Sequence, residues 1–302
     1  SLYHHDMLAP SDGLDYLEHL TEDDLLLLAR AAQLDATDPL RAVTRLRNDP
    51  GLLERVLAHP DTIQAVLGER DEPDPLLGVS PFLLFTVAVH RALHELGRVR
   101  FVHEWAGPRQ RLPVLGTDAL IGFLADPARR FFLAELLASY THVASGSLWT
   151  HTRRGWRRQR FSELDLVRMA ALFEVLPRQE HAGLYRRLGD LALFLAGVFP
   201  DHTAMHRFAP IEVERLSRAL DAVGHEDLAE LLAMRGGVGL LDQLGQRWYG
   251  LAVRSSTAPQ TRAARLVADV AERFPEARRV LNYVTDHHLF PFRARWFPKP
   301  LP

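Results

Sequence analysis

The apolar positions of this chain recur mainly at helical spacing, and the strongest helical pattern lies at residues 184–199. Four leucines between Leu184 and Leu195 fall within about 60° of one another on a helical wheel, which makes one core-facing stripe. From Gly189 onward the opposite side is apolar as well, at Leu193 and Ala196. A helix that is apolar all round is covered by protein on all sides. We therefore predict a mainly α protein, a multi-helix bundle or array around a buried central helix at about 184–199.

Capping residues mark the starts of shorter helices before this segment. Three N-cap residues each precede a proline at the first helical position: Asp38-Pro39, Asp49-Pro50 and Ser80-Pro81. Residues 21–24 have the form of a capping box, with Asp24 in the place of the usual Glu. These signals predict an acidic N-terminal helical lobe at 1–75 and a main helical body at 76–302, joined by a linker rich in Pro and Gly at 69–80. The two parts either fold separately or form one compact unit.

The periodicity changes from helical to alternating in the region of about 98–161. Apolar and polar residues alternate at 99–105 and again at 111–115, which predicts a β-hairpin. A second alternating stretch at 147–161 predicts another hairpin, with its turn at Arg154-Gly155. Isolated hairpins are only marginally stable in water, so we expect the two to pair into one small antiparallel sheet.

Composition narrows the classes of function. The chain has 302 residues, 47% of them hydrophobic, and no cysteine. The absence of thiols excludes disulfides, Cys-ligated zinc, iron–sulfur clusters and a cysteine nucleophile. The longest apolar runs fall well short of the roughly 20 residues that cross a bilayer, and no signal peptide is evident. We therefore expect a soluble cytoplasmic protein without a membrane span.

Charge is distributed unevenly along the chain, although the net charge is only −2. Residues 1–76 carry 16 Asp and Glu against 6 Arg, whereas residues 98–160 carry 11 Arg against 4 Asp and Glu. Either the two regions lie close together and compensate each other, or the basic region faces an anionic partner.

The basic region is concentrated in the second predicted hairpin. Its arginines are Arg153, Arg154, Arg157, Arg158 and Arg160, and the aromatic residues Trp149, Trp156 and Phe161 are interleaved with them. Guanidinium groups suit contact with phosphates, and aromatic rings stack on bases. The pattern predicts a nucleic-acid- or anion-binding site at the five arginines and Trp156. The alternative is a solvated strand that pairs with the acidic lobe.

Asp190 places a carboxylate inside the most apolar helix, where it is costly unless it is paired. The arginines at positions 186 and 187 lie one turn earlier and are the expected partners. If Asp190 instead lines a cavity with Tyr140, His142 or His206, its pKa is perturbed. Asp190, His142 and Tyr140 then become catalytic candidates.

Histidines at helical spacing give candidate metal ligands. Asp201, His202 and His206 combine a carboxylate with two imidazoles four residues apart, which suits zinc or iron. Asp201 is equally natural as a helix cap after Pro200. His90 and His94 share the spacing, but His90 follows an apolar run, and we predict that it is a hydrogen-bonded core residue. No other cofactor is indicated.

Common catalytic sequence motifs are absent from the chain. There is no P-loop, no Gly-x-Ser-x-Gly and no His-Glu-x-x-His. The leading hypothesis is a non-catalytic interaction or ligand-binding protein, with either a protein partner or a small apolar ligand enclosed near the central helix. The alternatives are a nucleic-acid-binding regulator that uses the arginine-rich hairpin at 149–161, and a metal-dependent enzyme that uses Asp201, His202 and His206.

Overall fold

The computed structural model describes residues 15–34, 38–68, 79–107, 110–142, 145–152, 155–205, 208–220, 228–256 and 261–289. The helices in these ranges are α1 (Asp15–His19), α2 (Glu22–Ala31), α3 (Pro39–Asn48), α4 (Pro50–Leu57), α5 (Pro60–Leu67), α6 (Pro81–Leu96), α7 (Asp118–Leu124), α8 (Pro127–Ser139), α9 (Leu166–Ala170), α10 (His181–Val198), α11 (Pro200–Met205), α12 (Pro210–Arg218), α13 (Leu228–Ser255), α14 (Arg262–Glu272) and α15 (Phe274–Val284). The strands are β1 (Phe101–Gly107), β2 (Gln110–Leu115), β3 (Ser145–Thr152) and β4 (Gly155–Ser162). Two short 3₁₀ helices, Ala171–Glu174 and Arg178–Glu180, and a π-helical turn, Thr285–Leu289, complete the secondary structure. The predicted mainly α fold with a small antiparallel region is confirmed.

The N-terminal helices begin at the capping residues that the sequence predicts. Thr21 Oγ1 accepts a hydrogen bond from Asp24 N at 3.1 Å, and Asp24 Oδ2 accepts one from Thr21 N at 2.9 Å, which is a complete capping box. The other oxygen of Asp24 accepts from Ser80 N at 2.9 Å and ties α2 to the start of α6. Asp38 and Asp49 cap α3 and α4. Part of the acidic excess in this region therefore serves helix capping.

The central helix α10 is buried as predicted. Every residue from Leu188 to Val198 is buried, and the helix packs mainly on α13 and α15. A Cβ atom added at Gly189 would lie 2.4 Å from Tyr249 Cδ1 in α13, and one at Gly197 would lie 2.7 Å from Leu281 Cβ in α15. The two glycines therefore permit a helix contact that any larger residue would push apart.

Helix α13 is interrupted at Gly236, where φ is +66°. This left-handed conformation favours glycine, and it stops one helical segment and restarts the next. Two helical segments therefore lie on either side of Gly236. None of the described helices is long and apolar enough to cross a membrane.

The two hairpins form separate sheets, so the prediction that they pair with each other is wrong. β1 pairs only with β2, and β3 only with β4, among the strands that the structure describes. The first hairpin is held on α11 and α15, partly through Glu104, whose carboxylate contacts Arg278 and Arg279. β4 instead contacts α9. The hairpins are stabilised by the helices beneath them rather than by each other.

The division between a lobe at 1–75 and a body at 76–302 stays a prediction. The predicted linker lies mostly outside the described residues, at 69–78. Glu54 of α4 contacts the second part through two side chains: its Oε2 lies 2.7 Å from Arg130 Nη2 in α8 and 3.1 Å from His90 Nε2 in α6.

Candidate anion-binding hairpin

Asp190, the buried carboxylate of the central helix, is neutralised by two hydrogen bonds. Its Oδ1 accepts from Arg186 Nε at 2.8 Å and from the Tyr249 hydroxyl at 2.8 Å. The guanidinium group of Arg186 also lies 4.7 Å from the ring centroid of Phe132. Burial, followed by the charge of Asp190, raises the pKa of Tyr249 well above its usual value, so this phenol remains a donor. The predicted ion pair between Arg186 and Asp190 is therefore present.

Arg187, the next residue along the helix, binds the start and the end of the β3–β4 segment. Its Nη1 donates to Ser139 Oγ at 3.1 Å, and its Nη2 lies 3.6 Å from Glu163 Oε2. Its guanidinium group lies 4.2 Å from the ring centroid of Tyr140. Ser139 and Tyr140 precede β3, and Glu163 directly follows β4. This partly buried arginine of the central helix thus links the end of α8, which precedes the second hairpin, to the residue that follows it, at the root of the hairpin.

Tyr140 belongs to this root. Its ring stacks on Phe194 with centroids 4.2 Å apart, and the whole side chain is buried. Its hydroxyl has no hydrogen-bond partner among the described residues. Burial raises the pKa of Tyr140 above its usual value, and the nearby charges of Arg187 and Asp190 partly offset each other. The phenol is thus protonated and structural at neutral pH.

His142 does not join Asp190 in a buried site. It is exposed, and its Nδ1 lies 3.0 Å from the Thr141 hydroxyl. His206 lies outside the described residues. Of the two predicted partners that the structure describes, Tyr140 lies near Asp190, beside the adjacent arginines, and His142 does not.

The β3–β4 hairpin has an unbroken antiparallel register. Opposed pairs run from Ser145 and Ser162 at the root to Thr152 and Gly155 at the tip. Gly155 is therefore a strand residue rather than part of the turn that the sequence predicts at Arg154-Gly155. Arg153 and Arg154 lie outside the described residues.

The register separates the arginines into two sets. Opposed residues share a face of a two-stranded sheet, and residues two apart along a strand share it as well. Trp149 is opposed to Arg158, His151 to Trp156, and Ser147 to Arg160. We call the face that contains these six positions the tryptophan face. The opposite face contains the positions Leu148, Thr150, Arg157, Gln159 and Phe161.

The hairpin joins the helical body at its root. Besides β3, the principal contact of β4 is with α9. Ser162 at the end of β4 and Leu164 just after it are buried. Asp165 caps α9 by accepting a hydrogen bond from Arg168 N at 3.0 Å. The N-terminal helices α2, α4 and α5 make their main contacts with one another, with α3 and with α6. The acidic lobe and the basic hairpin therefore have different principal neighbours.

The metal candidates are only partly described. Asp201 and His202 lie in α11, and His206 lies outside the described residues. Within the described part of the chain, no group of three or more His, Asp and Glu side chains is arranged to hold a metal ion. His90 is 5% exposed, and its Nε2 lies 3.1 Å from Glu54 Oε2. The prediction that His90 is a hydrogen-bonded core residue is confirmed.

The central helix is closely packed against α13 and α15 at two of its glycines. The glycine contacts described above leave no room even for a methyl group at two positions on α10. An open groove of about 360 Å³ lies elsewhere, between the 3₁₀ helix Ala171–Glu174 and α12. Its polar lining includes Glu174, Arg215 and Arg218, so it differs from the apolar enclosed pocket that the ligand-binding hypothesis predicts.

Sequence reasoning missed two buried ionic clusters. In one, Glu54 accepts from Arg130 at 2.7 Å and also contacts His90. Burial raises the pKa of Glu54, but His90 and Arg130 outweigh that effect and lower it to about 2. In the other, Arg278 is 2% exposed and contacts both Glu104 and Asp242. In the sequence, Arg130 and Arg278 stand out as charged residues among apolar helix positions, but this pattern does not identify the carboxylates that they contact.

Comparisons of the chain with models of protein families, with curated proteins and with solved structures found no match. The function therefore has to be inferred from the residues themselves.

Proposed function

We propose that this is a non-catalytic binding protein that binds a polyanionic partner through the β3–β4 hairpin. One observation carries the proposal. The segment 145–162 contains five arginines and no Asp or Glu, and its strands join the body mainly at the root. Polyanions bind with high affinity where several guanidinium groups are clustered without competing carboxylates.

The carboxylates in the interior of the body are already paired with arginines, and this pairing supports a non-catalytic role. Asp190, the strongest catalytic candidate from the sequence, already accepts two hydrogen bonds from Arg186 and Tyr249. Glu54 and Glu104 are likewise engaged by arginines. These groups join neighbouring elements of the body, where their ionic partners already occupy them.

Retention on immobilised heparin at low ionic strength tests the proposal, because heparin is a polyanion without bases. Wild-type protein should elute only at raised salt, since each neutralised charge releases counterions. A hairpin variant with serine at positions 157, 158 and 160 should elute much earlier. A control variant with serine at three exposed helical arginines, Arg30, Arg45 and Arg47, has the same net charge and should elute near the wild type.

Two outcomes would contradict the proposal. The first is wild-type protein that passes through the column at low salt. The second is an equal loss of retention in the hairpin variant and in the control variant, because that would assign the binding to net charge alone. The metal-enzyme hypothesis at Asp201, His202 and His206 stays a prediction, and elemental analysis of the purified protein tests it.

A further inference from the structure

The register of β3 and β4 brings both tryptophans of the hairpin to one face, together with two of its arginines. Trp149 and Trp156 are diagonal neighbours, because Trp149 is opposed to Arg158 and Trp156 to His151. Diagonal positions across an antiparallel pair lie about 7–8 Å apart, within reach of aromatic side chains. Arg160 follows Arg158 on the same face. The sequence alone shows five arginines among aromatics, whereas the register shows which ones occur together.

From this juxtaposition we infer that the tryptophan face binds single-stranded nucleic acid, with bases on the two indole positions and phosphates on Arg158 and Arg160. The inference rests on the proposed function and specifies the chemical class of the polyanion. Single-stranded nucleic acid combines exposed base faces with a regular series of negative charges. Proteins that bind it without sequence preference pair aromatic stacking positions with a basic track along the backbone.

A single strand fits this face better than a duplex does. In a duplex the base faces are covered by their neighbours, so an indole ring gains no stacking partner there. A two-stranded ribbon that enters a major groove reads base edges, typically with Arg, Asn or Gln at its centre. Here the central pair of the face is Trp149 and Arg158, with Trp156 diagonal to Trp149, so aromatic positions accompany the arginines, and Gln159 lies on the opposite face.

The root of the hairpin supports such a platform. Arg187 fixes Ser139 and Tyr140 on one side of the hairpin and Glu163 on the other. A binding surface whose supports are already ordered loses less conformational entropy when the ligand binds. The central helix thus holds the platform in place without contacting the ligand.

Fluorescence anisotropy with three labelled probes tests the inference. The probes are a mixed-sequence single strand of roughly 12 nucleotides, the blunt duplex of the same sequence, and dextran sulfate as a polyanion without bases. We expect the single strand to bind more tightly than either of the others. The logarithm of its affinity should fall linearly with the logarithm of the salt concentration.

Variants on the two faces provide the matched comparison. Trp149→Ala should weaken binding of the single strand by roughly 5- to 100-fold, and Trp149→Phe should restore most of it, because an aromatic ring is retained. The neighbouring change Leu148→Ala, on the opposite face, should leave binding nearly unchanged. Circular dichroism of each variant confirms that the hairpin and the helices remain folded.

Charge reversal at adjacent positions tests the face independently of net charge. Arg158→Glu and Arg157→Glu alter the net charge equally but lie on opposite faces. Arg158→Glu should weaken binding of the single strand at least 10-fold more than Arg157→Glu does, because only it removes a phosphate contact and places a carboxylate in the strand's path. Equal effects of the two changes would overturn the assignment to the tryptophan face.

The outcomes separate the inference from the proposed function. If all three probes bind alike and Trp149→Ala has no effect, the inference fails and the polyanion-binding function stands. Tighter binding of the duplex would overturn the single-strand assignment in favour of groove binding. If none of the probes binds at low salt, both the inference and the proposed function fail.

Discussion

Replacing Arg187 with methionine should loosen the root of the β3–β4 hairpin and destabilise the whole protein. Methionine retains the length and the apolar stem of the side chain but removes the guanidinium group. The change eliminates the hydrogen bond to Ser139, the contact with the Tyr140 ring and the ion pair with Glu163. It also leaves the carboxylate of Glu163, whose side chain is only 16% exposed, without this partner.

The magnitude follows from these contacts. A hydrogen bond from a charged group is worth about 1.5–3 kcal/mol, and a cation–π contact about 0.5–2 kcal/mol. Since the contacts share one side chain, they do not add fully, and we expect a loss of about 2–4 kcal/mol in the free energy of unfolding. For a chain of this size that corresponds to a fall in Tm of roughly 3–6 °C.

Two measurements check this prediction. Calorimetry should show the fall in Tm, and the exposed control Arg178→Met should show almost none. Hydrogen exchange should be roughly 30-fold faster in the amides of 145–162, which corresponds to about 2 kcal/mol of lost local stability, while α13 is much less affected. Unchanged exchange in the hairpin would refute the role of Arg187 as its support, whatever the change in Tm.

Other predictions concern the body. Gly189→Ala should destabilise by about 1–2 kcal/mol because its Cβ would clash with Tyr249, whereas Gly183→Ala in the same helix meets nothing within 4 Å and should stabilise by about 0.5–1 kcal/mol in urea unfolding. Arg278→Met should cost about 3–5 kcal/mol, since it leaves two partly buried carboxylates without their shared buried cation, and an unchanged urea midpoint would contradict that account. The pKa of Glu54 is lowered to about 2 in the folded state, so its stabilisation is present above about pH 4.5 and is lost as the pH falls toward 2. Glu54→Gln should remove about 3 kcal/mol of that acid dependence, and an unaltered stability profile between pH 5 and pH 2 would exclude it.

The helix starts could be predicted from the sequence because the signals are local. A cap such as Asp49 bonds a backbone amide three residues away, and the proline between them fits only the first turn. The burial of the central helix could also be predicted from the sequence, because a helix that is apolar on every side has to be covered by protein on every side.

The arrangement of the hairpins could not be predicted in the same way. Alternation along the chain identifies a strand, but it does not say whether a second hairpin or a helix covers that strand. Glu104 is held by Arg278, which is 174 residues away, and this contact decides where the first hairpin lies. Pairings at such separation are determined by tertiary packing and leave no periodic trace in the sequence.

For the β3–β4 hairpin, the sequence predicted which residues form the candidate site but not how they are arranged. The arginine-rich segment is evident from the sequence, yet its division into two faces depends on the register. A shift of one residue in the register would move Trp149 away from Arg158. The role of Arg187 was missed because two neighbouring arginines were both expected to pair with Asp190, and only Arg186 bonds it directly.

Photochemical cross-linking tests the central claim most directly, because it locates the ligand on the chain. A photoreactive single-stranded oligonucleotide is bound to the full-length protein and irradiated, and the cross-linked peptides are identified by mass spectrometry. We predict cross-links within 145–162, at Trp149 or Trp156, that are lost when unlabelled single strand is added in excess. Cross-links confined to other surfaces, such as the groove at Arg215 and Arg218, would contradict the account, as would the absence of any specific cross-link at low salt.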